Sequence, residues 1–311
     1  GVPDFPDEIR FWKLIEKYKV SWIELSPALI RSQMLKDQKL FEKLDLSSLR
    51  IVCTGGELWT EKPWKWLFEF IGKSKVPIMN SAGGTEVSGS ILHCCLHRPF
   101  KVGSFNAPIP GMSADIINHD GKTVSIDEMG ELVMRKSSIG LTKSLWNDDK
   151  RYIDNYWNVI KDFWVHGDLA SKDKDGHWYL HGRSDDTIKV SGKRIGPAEL
   201  EESIIKSGYI KEVAAIGVPD ENKGSKIIIS IVLLNKNDPE IKEDYFMNLI
   251  IKDLGKSFKP DKIIFVRDLP KTRNMKIMRR VIKSCLTNEN PGDVSTLLNP
   301  ESIEEIKNHA I

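Results

Sequence analysis

The sequence contains no apolar run that approaches the roughly 20 residues needed to span a lipid bilayer. Its N-terminus also lacks the series of basic, apolar and small residues of a secretory signal. Only four cysteines occur, Cys53, Cys94, Cys95 and Cys285, and their spacing forms no paired framework for an oxidising compartment. We therefore expect a cytoplasmic protein with reduced thiols and no membrane partner.

The sequence also has no large excess of positive or negative charge. The 46 lysine and arginine residues against 44 aspartate and glutamate residues leave a formal net charge of +2. No global field then attracts nucleic acid. The basic run "PKTRNMKIMRR", residues 270–280, has no interleaved aromatic side chains, so we expect no nucleic-acid partner there either. Any affinity for phosphate must be local.

The cluster "HCCLH", residues 93–97, contains imidazole and thiol groups, which are zinc ligands. Adjacent cysteines lack the separation of a CxxC pair, and no second ligand cluster follows. We interpret Cys94 and Cys95 as small buried hydrophobic residues.

The pattern of apolar, polar and turn residues changes twice along the chain and so divides it into three parts. Up to about residue 101, amphipathic segments alternate with short apolar ones such as "RIVCTGG" and "VPIMNSAGG", which predicts an α/β layer. Residues from about 102 to 184 contain short strand candidates separated by "HDGK" and "KDGH", whose Asp-Gly pairs are typical of hairpin turns. From about residue 186, a hairpin, helices and strands predict a compact α+β domain.

Two segments suit a nucleotide. "NSAGGTEVSG", residues 80–89, combines glycines with a threonine–glutamate pair, and Mg²⁺ takes one or two protein carboxylates together with phosphate oxygens. Asp168, at the end of a predicted strand, could accept hydrogen bonds from vicinal ribose hydroxyls. Arg183 and Arg194 could bind phosphate oxygens. Singly, each of these features is also found in ordinary turns and surface ion pairs.

The segments "SAGGTE", "GDLASKDKDGHWYLHGRSDDTIKVSGKRIGPAELE" and "PKTRNMKIMRR", in this order, resemble the signatures of the adenylate-forming superfamily, specifically AMP-forming acyl-CoA synthetases of the acetyl-CoA synthetase type. The resemblance covers nearly the whole chain. It implies an α/β fold in which residues 1–184 form the C-terminal part of the large adenylate-forming domain, with the α/β layer to about 101 and a β-rich unit at about 102–184. Residues 185–311 would form a small, mobile α+β C-terminal domain.

Enzymes of this family activate a carboxylic acid with ATP to acyl-AMP and pyrophosphate, then exchange AMP for CoA to give acyl-CoA. The resemblance therefore implies ATP, Mg²⁺ and CoA as ligands. By position, Glu86 would bind Mg²⁺ and Thr85 would contact phosphate or the substrate carboxylate. Lys276 would reach the α-phosphate and carboxylate oxygens, because attack of one anion on another needs fixed positive charge.

The same resemblance assigns the nucleotide contacts. Gly56 with Glu57 would line the adenine pocket, and Asp168 would hold both ribose hydroxyls. Arg183 would reach the ribose or a phosphate, and Arg194 a phosphate.

The resemblance also implies a moving domain. Asp185 matches the hinge about which the small domain swings between an adenylating and a thioester-forming arrangement. In the second arrangement, Gly192 would leave room for the pantetheine of CoA.

Several positions depart from the family pattern. The family's Ser/Thr/Gly-rich loop with lysine, which grips the β- and γ-phosphates, does not occur in these residues, so we expect the chain alone to be inactive in adenylation. Met275 stands where glycine usually precedes the lysine, which costs about 1 kcal/mol or more if that residue needs positive φ. Ala82 replaces an aromatic residue that stacks on adenine, which predicts reduced nucleotide affinity. Leu58 replaces a proline.

Gly83 bears on the choice of acid. Acetyl-CoA synthetases carry a tryptophan there, whose ring closes the acyl pocket behind a methyl group, so glycine predicts an acyl group larger than acetate. Each further buried methylene contributes about 0.8 kcal/mol. A neighbouring group that refills the space would remove this effect, since protein interiors are closely packed.

Two other functions stay open. The chain could be an adenylating enzyme that loads another thiol acceptor, such as a carrier protein, or that makes an aryl-CoA. It could also be a non-catalytic remnant that binds a nucleotide or CoA, which the missing phosphate loop would permit.

Overall fold

The structure is a computed structural model that describes residues 5–235, 242–273 and 275–310. It divides into two compact units, Gly1–His181 and Gly182–Ile311. Asp185 therefore lies near the start of the second unit, and its role as a hinge stays a prediction. No helix in the described ranges is both long enough and apolar enough to cross a membrane.

The helices of the first unit are α1 (Arg10–Tyr18), α2 (Pro27–Met34), α3 (Lys39–Glu42), α4 (Glu61–Lys65), which continues as a π-helical turn (Trp66–Ile71), and α5 (Asp149–Tyr152), which continues as a second π-helical turn (Ile153–Trp157). Its strands are β1 (Trp22–Leu25), β2 (Ile51–Gly55), β3 (Ile78–Gly84), β4 (Gly89–His93), β5 (Ala107–Pro108), β6 (Ala114–Ile117), β7 (Gly130–Met134), β8 (Trp164–Lys172) and β9 (Trp178–Arg183).

The predicted α/β layer is confirmed. Strands β1, β2 and β3 pair in parallel, and β4 and β5 extend the sheet in the antiparallel sense. Helix α1 turns Trp12 and Ile15 toward the core, where both are buried. Helix α2 begins with Pro27, whose missing N–H costs nothing in the first turn, and the Ser26 hydroxyl accepts a hydrogen bond from the N–H of Leu29.

The predicted β-rich unit is a four-stranded sheet in the order β6-β7-β8-β9. Its predicted Asp-Gly turns are present, with Gly121 at φ 74° and Gly176 at φ 85°. Glycine suits these positions because side chains disfavour positive φ. Cys94 is buried, as predicted, and its thiol lies 3.5 Å from the carbonyl oxygen of Ser104. Cys95 is half-buried, so the prediction of a fully buried pair is correct for one cysteine only.

The second unit contains helices α6 (Pro197–Ile205), α7 (Glu243–Leu254), α8 (Arg279–Leu286) and α9 (Glu301–Lys307), and strands β10 (Ile188–Val190), β11 (Lys193–Ile195), β12 (Ile210–Asp220), β13 (Gly224–Leu233) and β14 (Lys262–Phe265). The predicted α+β content of this unit is confirmed. β10 and β11 form a hairpin, and β12-β13-β14 form a second sheet with an antiparallel and a parallel pair. The last arginines of the basic run begin α8.

Candidate functional site

The loops that follow β2 and β3 leave the sheet on the same edge. These strands are parallel neighbours, with Gly55 opposite Ser81. Ligands of open α/β sheets bind beyond the carboxyl ends of such strands. Gly56, at φ 85° with open space where a Cβ would stand, follows β2, and Thr85 and Glu86 follow β3. The structure thus places the two predicted glycine turns on one edge of the sheet.

Glu86 is held at two points by the β-rich part of the first unit. Its main-chain oxygen accepts a hydrogen bond from the N–H of Thr142 at 2.7 Å. Its Oε1 atom accepts one from the hydroxyl of Tyr156 at 2.9 Å. Both donors lie far along the chain, so only the fold brings them to the glutamate. Thr85 opens a short 3₁₀ turn and is exposed.

Asp168 was predicted at the end of a strand, but it lies inside β8, at a bulge. Glu131 of β7 pairs with Leu169 and Val133 with Val165, so His166, Gly167 and Asp168 together face a single β7 residue. Gly167 has φ 83°, which a residue with a side chain would rarely adopt. Bulges beside functional sites redirect side chains. Here the bulge brings Nε2 of His166 to 3.1 Å from Oδ2 of Asp168.

Gly84 marks the point where these groups converge. A Cβ atom on Gly84 would lie 3.2 Å from Oε2 of Glu86 and 3.4 Å from Cε1 of His166. The glutamate and the His166–Asp168 pair therefore approach the same loop. No cluster of three or more potential metal-ligating side chains occurs among the described residues. A single carboxylate suits Mg²⁺ that is also bound by phosphate oxygens, so the donor set fits this ion.

Glu57 is paired with an arginine, and Gly83 is in close contact with the neighbouring strand. The Glu57 carboxylate forms an ion pair with Arg31 of α2 at 2.5 Å. A Cβ on Gly83 would lie only 2.0 Å from the carbonyl oxygen of Gly89 and 2.5 Å from Cα of Ser90. The backbone of β4 thus fills the place where a side chain would begin, and the size of the acyl group stays a prediction. Ala82 is buried in the core of this unit.

The other predicted residues lie beyond His181, the last residue of the first unit, so β9 ends two residues inside the second unit. Arg194 is an exposed residue of β11, and Gly192 lies in the β10–β11 turn at φ 80° with open space beside its Cα. Nε of Arg183 donates to Oδ1 of Asp185 at 3.1 Å, and both side chains are exposed. The roles predicted for these residues stay predictions.

Lys276 is exposed on a tight loop. The N–H of Thr272 donates to the carbonyl oxygen of Lys276 at 2.9 Å, and the N–H of Met275 donates to the carbonyl oxygen of Thr272 at 2.8 Å. Met275 has φ 66°, so the positive φ expected at this position is present. The loop therefore takes a conformation that glycine would adopt without strain. Asn274 lies outside the described residues.

A buried charge network at the base of this loop was not predicted from the sequence. Lys271 is almost fully buried and forms an ion pair with Glu212 and another, at 2.6 Å, with Asp268. Asn299 donates to the second oxygen of Asp268 at 2.7 Å and accepts from the N–H of Lys271 at 3.1 Å. The network ties the start of the loop to β12 and to the segment before α9.

The fold defines a class of α/β protein with a candidate ligand site beyond the carboxyl ends of β2 and β3 and a small C-terminal unit. The family described as "AMP-binding enzyme" matches residues 1–146, and its C-terminal domain matches residues 199–276. The chain belongs to this family.

Acetyl-coenzyme A synthetase of Pasteurella multocida (strain Pm70) is 35% identical over 317 residues, which cover 99% of this chain and 48% of that protein. The acetyl-coenzyme A synthetase of Methanothrix soehngenii is 36% identical, with 98% and 47% covered. The chain thus spans about half the length of the curated relatives it matches.

Solved structures share the fold. Acetoacetyl-CoA synthetase from Streptomyces lividans superimposes with a TM-score of 0.83 at 23% identity, covering 98% of this chain and 47% of that one. The anthranilate CoA ligase AuaEII, solved in complex with anthranoyl-AMP, gives a TM-score of 0.71 at 26% identity, with 86% and 50% covered.

Proposed function

We propose that this chain carries the adenylate and CoA sites of an AMP-forming acyl-CoA synthetase. The reaction joins a carboxylic acid to ATP, giving acyl-AMP and pyrophosphate, and then transfers the acyl group to CoA. The observation that carries the proposal is the approach of Glu86 and the His166–Asp168 pair to one loop in the first unit. The similarity to acetyl-coenzyme A synthetases over nearly the whole chain supports it.

In the proposed reaction, Asp168 accepts hydrogen bonds from the two ribose hydroxyls, and Gly56 leaves the backbone open to the adenine. Mg²⁺, when bound by Glu86 and phosphate oxygens, neutralises part of the phosphate charge. Thr85, exposed beside Glu86, contacts a phosphate or the substrate carboxylate. Lys276 supplies the second fixed positive charge to the oxygens on which negative charge grows.

For the second half of the reaction, the small unit presents a different surface. Gly192 has open space beside its Cα, which suits close approach of the pantetheine chain of CoA. Arg194 and Arg183 hold phosphate or ribose, and Asp185 absorbs the rotation between the two arrangements as the hinge of residues 185–311. We further propose a cytoplasmic protein that acts on a carboxylic acid larger than acetate.

The thioester-forming half-reaction tests this function directly, because it does not require the loop that grips the β- and γ-phosphates. The protein is supplied with CoA and one of three synthetic acyl-adenylates: acetyl-AMP, butyryl-AMP or hexanoyl-AMP. We expect release of AMP with formation of the thioester, faster for the longer acyl groups. A complementary assay with ATP, Mg²⁺ and the free acids measures adenylation.

The outcomes separate the candidate functions. Thioester formation from acyl-adenylate supports the synthetase. Binding of AMP or CoA without turnover would favour a non-catalytic binding protein. Turnover fastest with acetyl-AMP would overturn the prediction for acyl size alone.

A further inference from the structure

A column of aromatic rings connects Glu86 with Asp168. The ring of Tyr156 stacks on that of Trp164 at a centroid distance of 5.2 Å and an angle of 8°. The ring of Trp164 lies 5.7 Å from that of His166, tilted by 31°. Trp164 is fully buried and His166 nearly so. The column is therefore a rigid part of the first unit, with a polar group at each end.

Each end of the column places a polar atom within hydrogen-bonding distance of one carboxylate. The hydroxyl of Tyr156 donates to Oε1 of Glu86 at 2.9 Å. Nε2 of His166 lies 3.1 Å from Oδ2 of Asp168, a distance at which an N–H on this nitrogen can donate to the carboxylate. In each carboxylate, one oxygen makes this contact.

We propose that Tyr156 and His166 are positioning residues that orient the two carboxylates toward opposite ends of one nucleotide. Tyr156 orients Glu86 toward the metal and phosphates, and His166 orients Asp168 toward the ribose hydroxyls. This inference rests on the proposed function. It goes beyond it, because neither residue contacts the nucleotide in the roles assigned above.

An orienting donor should strengthen nucleotide binding because it restricts the rotamers of the carboxylate side chain before the ligand binds. An aspartate or glutamate side chain without an orienting donor samples several rotamers, and the entropy lost on binding then weakens the contact. Donors on a packed aromatic column have already lost this freedom on folding. Partners of this kind contribute about 10- to 100-fold in affinity where they orient metal ligands.

The histidine is tested by a ligand pair that differs only in the ribose hydroxyls. Calorimetric affinities for AMP and for 2′,3′-dideoxy-AMP are measured with the wild-type protein, His166→Met and His166→Gln. Methionine keeps the volume without a donor, whereas the amide nitrogen of glutamine ends near the place of Nε2. We expect His166→Met to weaken AMP binding about tenfold, with little effect on dideoxy-AMP, and His166→Gln to restore most of it.

The tyrosine is tested by the dependence of ATP binding on Mg²⁺. For Tyr156→Phe we expect the Mg²⁺ concentration at half-effect to rise about tenfold, while AMP affinity without metal stays at the wild-type value. His119→Gln, in an exposed histidine–aspartate pair, and Tyr209→Phe, in the second unit, serve as controls. Thermal unfolding is followed for each variant. If His166→Met does not fold, His166→Asn replaces it, because its shorter amide does not reach Asp168.

The results separate this inference from the function on which it rests. The inference is supported if His166→Met weakens AMP binding but not dideoxy-AMP binding, and if Tyr156→Phe changes only the Mg²⁺ dependence of ATP binding. If the wild-type protein binds AMP but the variants bind like wild type, or if each variant weakens every ligand equally, the positioning role is overturned and the function stands. An absence of any Mg²⁺ effect on ATP binding by the wild type overturns the role of Tyr156. A wild-type protein that binds neither AMP nor ATP overturns the proposed function itself.

Discussion

The ammonium group of Lys271 lies 2.6 Å from Oδ1 of Asp268 in the interior of the second unit, and it also contacts Glu212. This lysine begins the loop that carries Lys276. Burial acts to raise the pKa of Asp268, but the hydrogen bond and the positive charge of Lys271, with other hydrogen bonds, outweigh it and lower the pKa. The loop is thus anchored by a charge that the fold has already desolvated.

Lys271→Met is expected to lower the free energy of unfolding by about 2 kcal/mol, less than the roughly 3–5 kcal/mol for a fully buried pair, because the two carboxylates that lose their cation are only half-buried. Urea unfolding at pH 7 measures the change. The matched control is Lys283→Met, an exposed lysine of α8, for which a change within about 0.5 kcal/mol is expected. An equal, small effect of both variants would show that the network is already solvated.

Met275→Gly is expected to stabilise the loop, since Met275 has φ 66° and the left-handed conformation costs a residue with a Cβ about 1–2 kcal/mol. The flexibility of glycine in the unfolded chain offsets part of this gain. Met275→Ala is the control, because it removes the side chain but keeps the Cβ. We expect Met275→Gly to exceed Met275→Ala in stability by about 1 kcal/mol. If Met275→Ala is as stable as Met275→Gly or more stable, the residue at this position does not keep its positive φ in solution.

Gly83→Ala is expected to destabilise the first unit by about 1–3 kcal/mol or more, because its Cβ would meet the backbone of β4 at 2.0 Å. The control is Gly89→Ala, where no atom lies within 4 Å of an added Cβ. Thermal unfolding compares the two variants. Similar midpoints for both would mean that β3 and β4 can separate at this point, and a larger side chain could then enter.

The acid stability of the first unit should depend on Lys101, whose ammonium group lies 2.6 Å from both Asp173 and Asp175. Burial acts to raise the pKa of Asp173, but hydrogen bonds from Lys101 and from backbone N–H groups outweigh it and lower the pKa to about 2. The folded-state pKa thus lies below the unfolded value of about 4. The ionised carboxylate therefore stabilises the fold above about pH 4, and this contribution is lost as the pH falls toward about 2.

Lys101→Met is accordingly expected to destabilise the protein at pH 6 and to have a smaller effect at pH 3. Urea unfolding over this pH range gives the comparison, with the exposed Lys161→Met as control. A loss of the same size at every pH would show that the lysine acts through packing of its methylenes rather than through its charge.

Local pattern predicted much of the fold. The amphipathic segments of the first hundred residues indicated helices such as α1, whose Trp12 and Ile15 are buried. The glycines of the Asp-Gly turns indicated hairpins, because backbone conformation at such positions depends on the residue itself. The start of α8 was missed, since its first residues belong to a basic run with no apolar period. The π-helical turns also have no sequence signature.

The candidate site likewise has features that the local sequence predicts and features that it does not. Which residue types occur, and in which order, is determined by the sequence alone: Thr85 and Glu86 beside glycines, Asp168 after Gly167, Met275 before Lys276. Only the tertiary structure decided that Tyr156 donates to Glu86, that a bulge turns His166 to Asp168, and that Lys271 is buried between carboxylates. The first kind of information is local, because it depends on the conformations a residue permits. The second depends on contacts between residues that are distant along the chain or on irregularities in strand pairing, and these are set by the packing of whole elements.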